Sequence, residues 1–62
     1  MTKFLEIKTI HDKIVLINVQ SILSIQEGID LDFNFVWLIN GECINTHETI
    51  ESIKEKLWKQ YL

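Results

Sequence analysis

The chain is 62 residues long, with a formal net charge of −3, 47% hydrophobic and 24% charged residues, and a single cysteine, Cys43. The length allows one domain, residues 1–62, and the composition excludes a disordered tail. A lone cysteine excludes an internal disulfide or a four-cysteine zinc site, and six dispersed lysines without any arginine lack the cation clustering that a phosphate backbone demands, so nucleic acid is not an expected partner.

Residues 3–10 read as a first strand, with Leu5 and Ile7 set against Phe4 and Ile10. His11-Asp12-Lys13 is a short polar connection suited to a hairpin. Ile14–Asn18 follows as a β-branched run that is apolar on both sides, Asn18-Val19-Gln20-Ser21 makes a turn, and Ile22–Gln26 forms a third strand. Glu27-Gly28-Ile29-Asp30 is a loop in which Gly28 can take a positive φ. Side chains alternate across a strand, so over residues 33–39 Phe33, Phe35, Trp37 and Ile39 share one face, with Val36 and Leu38 on the other. Asn40-Gly41 is the strongest two-residue hairpin signal in the chain, and residues 42–46 return as a short fifth strand.

The remainder is helical. Ile50, Ile53, Leu57 and Tyr61 form one stripe at helical spacing, with Trp58 at its edge. Thr46 or Thr49 supplies the N-cap, and Glu48 and Glu51 come early while Lys56 and Lys59 come late, as the helix dipole favours. Glu55 and Lys59 add a weak i,i+4 pair. The expected architecture is α+β: a bent antiparallel sheet of about five short strands followed by one C-terminal helix, with a small closed barrel as the alternative arrangement.

Over most of its length the chain resembles the FlbD/SwrD-like small proteins associated with bacterial flagella and swarming. The resemblance is carried by Phe4-Leu5-Glu6-Ile7 through Ile17-Asn18, by Ile22-Leu23-Ser24-Ile25-Gln26-Glu27, by Val36-Trp37-Leu38-Ile39-Asn40-Gly41, and by Glu48-Thr49-Ile50-Glu51-Ser52-Ile53. It implies that Val15, Ile17, Ile22, Ile25, Val36 and Leu38 face the helix, leaving Ile14, Leu16, Leu23, Phe33, Phe35, Trp37 and Ile39 for the far side. It also implies an accessory flagellar or motility role. The chain departs from the family pattern in four places. Trp37 and Ile39 stand where polar residues are usual, His11-Asp12-Lys13 where a glycine often sits, Thr46 where a valine is usual, and Trp58 and Tyr61 extend the tail.

Candidate chemistry is sparse. His11-Asp12 is better read as a solvated turn than as a proton relay, because neighbouring turn residues rarely converge and no nucleophile is placed beside them. Cys43 and His47 would share a face only on a helix, and here one falls on a strand and the other at a helix start. Asp30-Leu31-Asp32-Phe33-Asn34 begins like a calcium loop, but Phe35 and Gly41 occupy the positions that need glycine and a bidentate glutamate. Ser21 and Ser24 have no His or Lys at a recognisable spacing, and two separated glycines make no phosphate loop. No catalytic, cofactor-binding or metal-binding residue is expected, and no enzyme activity.

The remaining signal is excess apolar strand surface. A single helix shields one face of so small a sheet, and a fold of about 60 residues buries only ~60% of its unfolded surface, so stability beyond the monomer is naturally gained by association. Phe33, Phe35, Trp37, Ile39, Trp58 and Tyr61 are the expected interface of a homo-oligomer that also binds another protein, with Glu27, Asp30 and Lys59 as selectivity-setting rim residues. The settings open to such a module are a flagellar accessory factor, by resemblance, and a phage-encoded inhibitor of a host factor. The alternative is an oligomeric binder sequestering a metabolite or nucleotide signal at subunit boundaries. No run of about 18 apolar residues suggests membrane insertion, and charges interrupt the opening Met-Thr-Lys-Phe-Leu-Glu-Ile-Lys, so no signal peptide is read and a cytoplasmic location is expected.

Overall fold

The computed structural model describes residues 3–29 and 32–60. In chain order it contains β1 (Phe4–Lys8), β2 (Ile14–Asn18), a 3₁₀ turn (Val19–Ser21), β3 (Ile22–Gln26), β4 (Asn34–Leu38), β5 (Cys43–Thr46) and α1 (Ile50–Lys59), which is the α+β arrangement read from the sequence. The five strands divide into two antiparallel sheets, β1–β2 and β3–β4–β5, rather than one continuous bent sheet. A Thr9–Thr46 bridge and a hydrogen bond from the Ile10 N–H to the Asn45 carbonyl at 3.0 Å tie the sheets together along one side. Among the described residues no closed barrel forms: β2 pairs only with β1 and β3 only with β4.

Both hairpins depart in detail from the sequence reading. The first strand stops at Lys8 because Thr9 organises the turn. Its Oγ1 accepts from the His11 and Lys13 N–H groups at 3.3 and 3.2 Å, and its carbonyl accepts from Asp12 at 3.0 Å. Asp12 takes φ 63°, a left-handed conformation that aspartate tolerates better than most residues. The second hairpin is a three-residue loop, not the two-residue Asn-Gly turn. Leu38 bonds Glu42 at 2.8 Å, the Gly41 N–H closes onto the Leu38 carbonyl at 3.0 Å, and Gly41 alone in this loop has positive φ, 92°. Ile39 therefore leaves the strand and enters the loop.

The core lies between the sheets and α1. Leu5, Ile7, Ile17, Val36 and Ile53 are buried, and Val15, Val19, Ile22, Ile25, Leu38, Ile44 and Leu57 pack around them. Every residue assigned to the helix side by resemblance is in this cluster. Ile22 and Ile25, three apart, share that side only because β3 is bulged. Ile22 pairs with Leu38 and Ser24 with Trp37, so Leu23 is an extra residue that restores the phase. Thr49 is the N-cap of α1, its hydroxyl accepting from the Ser52 N–H at 3.1 Å. Thr46 has a different task. Fully buried, it donates to the Lys8 carbonyl at 2.7 Å and accepts from the Glu48 N–H at 3.1 Å.

Candidate interaction surface

The register of β3–β4–β5 sorts the residues facing away from the core into two rows, Ser24–Trp37–Cys43 and Gln26–Phe35–Asn45. Phe35 and Trp37 are thus flanked on both sides by small or polar neighbours, which shield part of each ring; both are half-buried. Phe33 lies just outside β4 and packs edge-to-face on Phe35, with ring centroids 5.4 Å apart and planes at 80°. Ile39, in the loop, is 65% exposed, and Trp58 on α1 is 66% exposed. Tyr61 and Asp30 lie outside the described residues. The expected aromatic face therefore exists as a stripe one strand wide, from Phe33 to Trp37, with Ile39 beyond its end. Trp58 points away from the helix contact made by Ile53 and Leu57.

Other apolar side chains are more exposed than the aromatic stripe. Ile14 and Leu16 of β2 and the bulge residue Leu23 are open to solvent, in keeping with their assignment to the far side, and so are Phe4, which the sequence sets opposite Leu5 and Ile7, and the loop residue Ile29. Strict alternation over β1, with Leu5 and Ile7 inward, is what turns Phe4 outward. A cleft of about 470 Å³ is lined by residues 15–18, Ser21, residues 38–40, Glu42 and Ile44.

Among the described residues, no three His, Cys, Asp or Glu side chains come together as a group that could hold a metal ion. His11 and Asp12 sit in the exposed first turn, where the Asp12 carboxylate lies 3.7 Å from Lys8 Nζ. Cys43 Sγ is 3.6 Å from Asn45 Oδ1, and burial pushes its thiol pKa up, away from the reactive thiolate. The His47 Nδ1 lies 2.8 Å from the Asp32 carbonyl, which accepts its proton in that tautomer. Of the expected rim residues, Glu27 and Lys59 are exposed, and Lys59 pairs with Glu55 at 3.5 Å.

The helix and the following loop close the outer edge of β1. Gln60 Nε2 donates to the Phe4 carbonyl at 2.7 Å and Lys56 Nζ to the Glu6 carbonyl at 2.9 Å. Glu48 Oε2 accepts from the Lys8 N–H at 3.0 Å, and Lys56 also bonds the other oxygen of Glu48. The three contacts to β1 were not legible in the sequence, since they join residues 40 to 56 positions apart. Among the described residues no helix is long and apolar enough to cross a membrane. Comparison with protein-family models, with curated proteins and with solved structures gave no match to this chain.

Proposed function

We propose that this chain is a non-enzymatic, cytoplasmic protein-interaction module that self-associates and binds another protein, using the stripe from Phe33 through Phe35 and Trp37 with the exposed Ile39 and Trp58. The observation that carries this reading is the amount of large apolar side chain left outside the core of so small a fold: Ile14, Leu16, Leu23, Ile39 and Trp58 are all exposed. Single exposed apolar residues are ordinary, and it is their number on so small a fold that supports a contact surface. Aromatics at such a site supply affinity by desolvation, and charged residues at its margin set selectivity. The role is that of an accessory factor of flagellar or motility type, as the resemblance implies, or of a phage-encoded inhibitor that occludes a host factor.

The second reading, a small-ligand binder, is favoured by the cleft of about 470 Å³, which falls within the usual size of ligand pockets. Two measurements separate the readings. Absolute mass over a concentration series, with Trp37→Ser beside the parent chain, tests the first: association or partner capture is expected to be lost in the variant. Denaturing the purified protein and analysing the supernatant by ultraviolet absorbance and mass spectrometry tests the second, which requires a stoichiometric small molecule.

A further inference from the structure

The strand edges of this fold are unequally protected. β1 is capped by Gln60, Lys56, Glu48 and Thr46. β5 is covered on its outer side by the Thr9–Thr46 bridge and the Ile10–Asn45 hydrogen bond. β3 carries the bulge at Leu23, a common device for spoiling an edge. β2 has none of these. It is a five-residue strand with no charge, proline or bulge, and it pairs with β1 alone.

The phase of its backbone groups follows from its neighbours. Val19 bonds Lys3 and Thr9 bonds Lys13, so the odd-numbered pairs carry the β1–β2 hydrogen bonds. The N–H and C=O groups of Ile14 and Leu16 and the N–H of Asn18 consequently point away from β1, toward the open edge, while the Asn18 carbonyl, at the N-cap, begins the 3₁₀ turn. The cleft touches residues 15, 16, 17 and 18 together with Leu38 and Ile39, but no residue of β1. Consecutive strand residues lie on opposite faces, so a cleft that meets all four runs along the edge itself.

We propose that this edge is the seam of a homodimer, in which β2 pairs antiparallel with β2 of a second copy about a two-fold axis through Leu16. The inference rests on the self-association in the function proposed above and locates it, leaving the aromatic stripe for the protein partner. A second copy is favoured over an unrelated strand because β2 is self-complementary in this register. Within the strand Leu16 faces its own equivalent and Ile14 faces Asn18, so the pairing opposes no charges at all. Centring the pair on Val15 or Ile17 would present backbone groups already bonded to β1, and centring it on Ile14 or Asn18 would run the partner strand into the first turn or the 3₁₀ turn. The exposed Ile14 and Leu16 are then covered, and because the open edge of each copy is consumed by the other, growth stops at two.

The test measures absolute mass by analytical ultracentrifugation on the full chain, on Leu16→Lys, and on a synthetic chain with an N-methylated Leu16, which removes one edge donor while leaving every bond to β1 intact. Leu16 is 66% exposed in the single chain, so both variants should keep the parent circular dichroism, while their melting curves lose the concentration dependence that a dimer imposes. The expected result is a dimer for the parent chain that both variants weaken by about tenfold or more. Leu16→Cys in a Cys43→Ser background should also form an intermolecular disulfide under mild oxidation, because a hydrogen-bonded antiparallel pair places its Cα atoms within disulfide range. A dimer that survives both Leu16 changes but is broken by Trp37→Ser overturns the β2 seam and leaves the aromatic reading standing. A parent chain that stays monomeric at every concentration overturns the seam and the self-association together.

Discussion

Lys56 bonds Glu48 and the Glu6 carbonyl at once, so a single ammonium fastens α1 to the outer edge of β1 and to the loop that precedes the helix. The Glu48 carboxylate also accepts from the Lys8 N–H, so both of its oxygens are engaged.

The acid sensitivity of the fold should trace largely to this carboxylate. Burial alone pushes the Glu48 pKa up, but the hydrogen bonds from Lys56 and the Lys8 N–H, the Lys56 charge and a contact from Ser52 together bring it below the ordinary glutamate value. A carboxyl lowered in the folded state favours folding fully above its unfolded pKa of ~4.3, and that contribution disappears as pH falls through the lowered folded value. The unfolding free energy of the parent chain, from urea titrations at about pH 6, 4 and 3, should therefore fall as pH drops through the glutamate range. In Glu48→Gln it should start lower by about 1 kcal/mol, a figure discounted for the partly exposed Lys56, and fall less steeply. Parallel acid limbs in the two proteins would contradict the assignment.

Thr46→Val restores the residue usual in the resembling family, yet it should destabilise this chain. The isosteric swap removes the hydroxyl that satisfies both the Lys8 carbonyl and the Glu48 N–H, at a residue with no exposed surface. Leaving those groups without partners costs about 1–2 kcal/mol, read as a lower urea midpoint with an unchanged slope. A neutral or stabilised variant would show that water replaces the hydroxyl.

The same residue shows where sequence reading reaches its limit. Element order, the helix stripe and the core side of each strand follow from local periodicity, and Ile17, Val36 and Ile53 were legible for that reason. Thr46 was read as a possible cap because a hydroxyl near a helix start suits that role, whereas its β1 partner lies 38 residues away. The division into two sheets was hidden for a related reason: it depends on whether β2 and β3 pair across a 3₁₀ turn, a non-local matter. The aromatic residues were correctly placed off the core side. Their partial burial was not visible, because the shielding neighbours Ser24, Gln26, Cys43 and Asn45 come from strands whose register the sequence does not state. Asn40-Gly41 marked its hairpin but not the loop length, which Gly41 at φ 92° with Ile39 drawn into the turn decides.

The left-handed positions Asp12 and Gly41 should respond in opposite directions. Asp12→Gly relieves a side chain held at φ 63° and gives up only an exposed 3.7 Å ion pair, so it should stabilise the fold by about 0.5 kcal/mol. Gly41→Ala should cost about 1 kcal/mol. The added methyl meets nothing within 4 Å, so this loss comes from backbone conformation alone. Gly41→Asn should recover part of it, since asparagine visits this region more readily. Thermal melts of the three variants check the ordering, and equal losses for alanine and asparagine would point to a cause other than φ.

Leu23 offers the sharpest contrast between a side chain and a position. Its side chain is 69% exposed, so Leu23→Ser should change stability by no more than about 0.5 kcal/mol. Deleting the residue is another matter. The bulge is what lets Ile22 oppose Leu38 while Ile25 opposes Val36, and without it the alternation of β3 directs one of the two isoleucines to solvent. Losing one such side chain from the core costs about 2–4 kcal/mol, a large share of the stability available to a domain of this size. The deletion should therefore give a poorly folded or unfolded chain by circular dichroism, beside a Leu23→Ser variant that melts like the parent. A deletion variant that folds with parental stability would mean that β3 can shift along β4 without losing its core contacts, and the bulge would then be incidental to the fold.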